Sequence, residues 1–142
     1  MSHARTQVRD ATKTLVTGLA TTGTNVHANR LRNFEDGDLP CLNVIDADEQ
    51  AELISIDTYN RALLLLVEVR IKATAALDDD LDAAAAEVEA VLDKARPAGA
   101  KELTLVSSKK EKSGEGSQPH GLITLEFSTE YCTARGAPEV IV

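Results

Sequence analysis

Four aspartates stand within five positions: Asp78, Asp79, Asp80 and Asp82. Crowded carboxylates repel one another, and a cluster of oxygen donors suits a hard cation such as Mg²⁺ or Ca²⁺. The spacing is not that of an EF-hand loop. The chemistry it allows is a cation, or a lysine or arginine from a neighbouring subunit, bridging copies and promoting assembly. A plainer reading weighs more: acids at a helix start cap it and complement its dipole. A catalytic carboxylate pair is a third reading, weaker because nothing marks a substrate pocket beside it. The basic run Lys109, Lys110, Lys112 reads as a solvated loop, with contact to an acidic partner as the alternative.

Other chemistry finds little footing. The phosphate-cradling patterns GxxxxGK[ST] and GxGxxG do not occur, and Gly114 and Gly116 lack a following helix. There is no GxSxG elbow. His3, His27 and His120 have no second His or Cys at ligand spacing, so the expectation is no zinc, no cofactor requirement and no catalytic residues. With 15 basic against 23 acidic residues the chain carries a net charge of −8, which repels nucleic-acid phosphate. No apolar run is long enough to span a membrane, and the first residues lack the apolar core of a signal peptide, so a cytoplasmic protein is expected. Aromatics are scarce (Phe34, Tyr59, Phe127, Tyr131), so the core must be aliphatic. Cys41 and Cys132 lie in apolar strand patterns and read as buried thiols.

The element that must position any site is residues 61–73, RALLLLVEVRIKA. Leu63, Leu65, Val67, Val69 and Ile71 fall on one face of a strand; the other face starts apolar and turns charged at Glu68, Arg70 and Lys72. A fully buried face and a half-wet one predict a central strand. An amphipathic helix is predicted over residues 3–21, with Gly18 inside it, and a second over 78–96, its aspartates and its Lys94 and Arg96 both complementing the dipole. Further strands are predicted at 25–30, 41–45, 51–56, 102–107 and 121–133, with a turn-rich loop at 33–40 and an acidic turn at 46–49. Residues 108–120 read as a mobile hairpin loop. The end, 136–142, reads as a C-terminal tail whose Val140, Ile141 and Val142 either fray or dock on a neighbour. The expected fold is therefore a single α+β domain over residues 1–135: one mixed or antiparallel sheet with two main helices packed on one face, in the order α-β-β-β-β-α-β-β.

Several stretches carry a resemblance. TTGTNVHANR at 21–30, DLPCLNVI at 38–45, the strand RALLLLVEVRIKA, the helix opening DDDLDAAAAEVEAVL and the strand LEFSTEYCT at 125–133 follow an N-terminal amphipathic helix. Over residues 4–135 this is similar to the tail terminator family of long-tailed bacteriophages, also called minor tail protein U. Residues 108–120 and the tail after Arg135 match nothing in that pattern. The resemblance implies a non-enzymatic virion protein at the head-proximal end of the tail, made in the host cytoplasm. Such proteins form a homohexameric ring on the tail tube, stop the tube protein from polymerising, and offer their far side to the head-completion or neck protein. DNA passes through the lumen without specific binding. A ring uses heterologous contacts, so each subunit needs two different adhesive surfaces. The candidates are Glu68, Arg70 and Lys72, Asp78, the lysines 109, 110 and 112, and the tail at Val140, Ile141 and Val142. Two other readings stand beside it: a neck or tail-completion protein of the same fold, and a small α+β enzyme or ligand-binding domain with an unrecognised site.

Overall fold

The computed structural model describes residues 2–31, 36–113 and 120–142. It is an α+β fold built on one mixed six-stranded sheet with two helices. The strands are β1 (Val26–Ala28), β2 (Cys41–Ser55), β3 (Thr58–Lys72), β4 (Thr104–Ser113), β5 (His120–Ala134) and β6 (Ala137–Ile141); the helices are α1 (Ala4–Leu15) and α2 (Leu77–Leu92). The sheet order is β1-β2-β3-β5-β4, with β6 continuing alongside β5. β1 is parallel to β2, and every other pairing is antiparallel.

β3 lies at the centre, paired along its length with β2 on one side and β5 on the other. Its odd-numbered side chains Leu63, Leu65, Val67, Val69 and Ile71 are buried, each contributing roughly 1.5–3 kcal/mol of apolar burial. Opposite them on β5, Ile123, Leu125, Phe127 and Tyr131 are buried on the same face. α2 covers this face with Leu81, Ala84, Ala85, Val88 and Leu92, and α1 with Ala4, Val8 and Thr12. Gly121 is where α2 sits closest to the sheet: a Cβ there would come within 2.8 Å of Leu77 Cδ1 and 3.1 Å of Leu81 Cδ1.

The elements follow the expected order of helix, strands, helix and strands, with three strands between the helices and three after α2. The predicted strands at 41–45 and 51–56 are one strand, β2. The stretch 46–49 is not a turn but continues the ladder through a bulge between Asp46 and Asp48. The reason is electrostatic: α1 holds Arg5 against Glu49 and Arg9 against Asp46, so these acids have partners within an extended chain. Residues 108–113 of the predicted loop are the outer half of β4, paired with β5 from Ser108–Leu125 to Ser113–His120, and His120 begins β5; 114–119 lie outside the described residues, as do residues 33–35 of the predicted 33–40 loop. The tail does not fray: it turns at Arg135 and Gly136, the latter at φ 79°, and forms β6.

Both helices are shorter than predicted. α1 ends at Leu15 because the chain turns through Gly18 at φ 95°, a left-handed conformation that glycine adopts without strain; Gly18 therefore lies outside the helix. His3 caps the start, its ring Nδ1 accepting from Arg5 N at 3.2 Å. α2 ends at Leu92, so Lys94, at φ 71°, and Arg96 lie past its last turn and do not complement the dipole. Its N-cap is Ala76, and no aspartate side chain caps it.

Placing an unpaired charge at a position with no solvent access costs several kcal/mol. Val67, fully buried between β2 and β5, is such a position. Val67→Asp is expected to abolish the cooperative thermal transition followed by circular dichroism, and a variant that melts as the natural chain does would show that this strand face is not the core.

Candidate functional site

The surfaces available to a partner follow from the sheet. Both helices lie on one side. On the other side β3 presents Ala62, Leu64, Leu66, Glu68, Arg70 and Lys72, all half-buried or exposed. Their cross-strand neighbours on β5 are Glu130, Ser128, Glu126, Thr124, Leu122 and His120. The Glu68 and Arg70 side chains pair at 3.0 Å, and Asn43 Nδ2 reaches Glu68 Oε1 at 3.5 Å. Acids predominate on this open face: Asp48, Glu52, Glu68, Glu111, Glu126 and Glu130 against Arg70, Lys72 and Lys109. Cys41 is buried at its edge, and burial pushes its thiol pKa up to about 11, so it stays protonated near neutral pH.

The acidic start of α2 meets β4. Lys110 and Lys112 project from the same face as Gly121 and Ile123 and reach up to the helix. Lys112 Nζ lies 2.7 Å from the Asp78 carboxylate, and Lys110 Nζ lies 2.7 Å from Asp82 and 4.0 Å from Asp78. Asp80 turns the other way and accepts from the Thr74 hydroxyl at 2.6 Å. The four aspartates therefore do not converge on one point, and among the described residues no three acid, His or Cys side chains gather as a metal would need. Relief of their crowding comes from within the chain, from two of the lysines that read as a solvated loop. The third, Lys109, points to the open face and pairs with Glu111 at 3.3 Å. A surface cleft of about 300 Å³ lies beside Asp80, lined also by Thr21, Ile71, Lys72 and Ala83.

The tip of the β2–β3 hairpin exposes Leu53, Ile54 and Ile56. Val140 and Val142 are exposed on the adjoining β5–β6 hairpin, while Ile141 packs against the core. The two hairpins are tied together: Arg135 N donates to Asp57 O at 2.7 Å. Of the predicted adhesive residues, then, Val140 and Val142 lie at one end of the molecule, Asp78, Lys110 and Lys112 at the α2–β4 contact, and Glu68, Arg70, Lys72 and Lys109 on the open face.

One polar cluster has no counterpart in the sequence reading. The Glu49 side chain, 8% exposed, accepts from Arg5 at 2.8 Å, from Arg61 at 3.3 Å and from the Tyr131 hydroxyl. Arg61 also donates to Thr133 Oγ1 at 2.8 Å. Burial first, and the bond to Glu49 second, raise the Tyr131 pKa, so the hydroxyl stays a donor. The cluster joins α1, β2, β3 and β5 where the hairpin leaves the helices. The signal for it is parity: Arg61 and Tyr131 share the alternation of the core positions, although one is charged and the other carries a hydroxyl.

No family model matches the sequence, and no curated protein matches it. Among solved structures the chain is similar to a chain of the virion of a native gene transfer agent (GTA) particle, at 15% identity and a TM-score of 0.51, over 90% of this chain and 95% of that one. At that identity the likeness establishes the fold: an arrangement of this size and topology exists as a complete chain in another protein.

Two outcomes follow from the ion pairs. Glu49→Ala leaves Arg61 and Tyr131 without their shared acceptor, which costs about 1–3 kcal/mol; the urea midpoint should fall accordingly, and an unchanged midpoint would make the cluster ornamental. At Asp78, the hydrogen bond from Lys112 holds the carboxyl below the ordinary carboxylate range. A depressed folded-state pKa means the contribution is whole above that range and is lost as pH falls through the depressed value. Amide protection of β4 should therefore weaken in acid, and in Asp78→Asn it should already be weak at neutral pH.

Proposed function

We propose that this chain is a structural, non-enzymatic virion protein of a phage-like particle, and that it acts as a tail terminator. In this reading copies of the chain form a ring, a homohexamer, on the head-proximal end of the tail tube. The ring stops addition of tube protein and presents its far side to the head-completion or neck protein. The observation that carries the proposal is the fold itself, which is shared over 90% of the chain with a component of a gene transfer agent virion. The distribution of surfaces supports it. One sheet face carries no helix and is predominantly acidic, which suits a lumen through which DNA slides without sticking. The two linked hairpins expose Leu53, Ile54 and Ile56 on one and Val140 and Val142 on the other, apolar side chains suited to an axial neighbour. A neck or tail-completion protein of the same fold would sit at a different axial position and use the same kinds of surface.

Light scattering coupled to size exclusion tests the ring. The expected result is a concentration-dependent species with a mass near six times the 15.2 kDa of the chain, visible as rings by negative-stain microscopy. A chain that stays monomeric at every concentration reached would overturn it. The same experiment with and without Mg²⁺, on the natural chain and on Asp78→Ala, addresses the acidic cluster. We expect Asp78→Ala to keep its fold, since the side chain lies at the surface, and to assemble less well because β4 loses an anchor. If it assembles normally and Mg²⁺ changes nothing, the aspartates serve only α2.

A further inference from the structure

The sheet has two long outer edges, and both are unoccupied among the described residues. β1 covers only Leu42 to Val44 of β2, and the Asn29 side chain caps Asp46 N. From Ala47 to Ser55 no backbone or side-chain group of the described residues bonds the outward side of β2. On the opposite margin, nine of the ten residues of β4 pair with β5, Val106 being skipped at a bulge, and among the described residues no strand pairs with the other side. Unpaired ladder groups over such lengths are a template for another strand.

The two edges differ in charge. Along residues 46–57 Asp46 and Glu49 are paired with arginines, which leaves Asp48 and Glu52 as exposed acids of β2; β4 holds Lys110 and Lys112, turned to Asp82 and Asp78, and Lys109, exposed beside Glu111. Asp48, Gln50 and Glu52 project on the open face of the sheet, as do Ser107 and Lys109 on the other margin, and all five are exposed. The strand directions also fit. β2, β3, β5 and β4 alternate in direction, so the two outer strands run opposite ways. Copies set side by side and related by rotation about an axis along the strands would bring β4 of one against β2 of the next as an antiparallel pair.

We infer that the outer edge of β4 is the docking surface for the outer edge of β2 in a second copy of this chain, forming a head-to-tail ladder that continues the sheet from subunit to subunit. The contact is heterologous: it uses a different surface on each copy, and repeated around an axis it closes without leaving a free edge. The inference deepens the ring reading and rests on it, because only a closed ring occupies every edge. Lys110 and Lys112 serve it indirectly, by holding β4 flat against the sheet through Asp82 and Asp78. The lysines and the bulges in β2 and β4 have an opposite use as well: both features commonly guard edges against pairing.

Charge reversal separates the two. One variant carries Asp48→Lys and Glu52→Lys; the other carries Ser107→Glu and Lys109→Glu. Each alone would face like charge with like at every contact, whereas a mixture restores opposite charges at each of them. The expected result by light scattering is that the natural chain assembles, each variant alone remains monomeric with an unchanged circular dichroism spectrum, and the equimolar mixture regains the assembled mass. If a double variant fails to fold, the single substitutions Glu52→Lys and Lys109→Glu give the same contrast. Assembly of each variant alone to the extent of the natural chain would overturn edge pairing and leave the ring standing on some other contact. A monomeric natural chain together with a monomeric mixture would overturn both.

Discussion

The rest of the structure depends on one constraint: β3 must pair with long strands on both sides while burying only one of its faces. All fifteen residues of β3 are laddered to β5 and thirteen of them, Thr58 to Arg70, to β2, so a frame of three long strands exists before any helix is added. Side-chain alternation then leaves no freedom. Leu63 through Ile71 require a cover, and α1 and α2 supply it from one side. The even-numbered positions, from Ala62 to Lys72, receive no helix. The helix-free face, the two outer margins and the projecting hairpin are consequences of that frame rather than separate inventions.

This is also why the sequence is legible in some places and not in others. The strand at 61–73 and the α2 stripe from Leu77 to Leu92 announce themselves because burial is what selects them, and burial leaves a period. Residues 46–49 and 108–113 carry no such period. They are extended because of partners far away in the chain: Arg5 and Arg9 for the acids of β2, and the ladder to β5 with Asp78 and Asp82 for the lysines of β4. An edge strand built from Ser, Lys and Glu looks like a loop to any local rule, because its solvent-facing side chains report solvent and not the ladder. The candidate adhesive residues were legible as types and not as groupings: the aspartates and lysines, separate in the sequence reading, turn out to be each other's partners.

That pairing changes what the acidic cluster does. Four carboxylates at a helix start favour the helix dipole but repel one another. Two of them reach lysines on a strand that contributes few buried side chains of its own, Leu105 being packed against the core and the outer half exposed. Exposed ion pairs are individually weak. Their value here lies in place: β4 has one neighbour instead of two, and the same helix that covers the core also holds the strand's far end. Gly121 makes this reach feasible, because the absence of a Cβ lets Leu77 and Leu81 settle onto β5 and brings the aspartates within range of β4.

A protein with net charge −8 resists self-association at long range, where the field of the whole surface acts. At contact, local arrangement decides, because at physiological salt screening erases interactions beyond about 8 Å and leaves close pairs largely intact. The surplus of negative charge is not spread evenly: Asp48 and Glu52 stand exposed on β2, whereas β4 carries three lysines, two of them held by Asp78 and Asp82 and the third beside Glu111. In the edge pairing we infer, β2 against β2 would set acid on acid at Asp48 and Glu52, whereas β2 against β4 would set these acids beside Lys109. An isologous dimer would bury one pair of like edges and stop, whereas unlike edges can repeat. On that inference the unlike edges favour a repeating contact over a two-fold one.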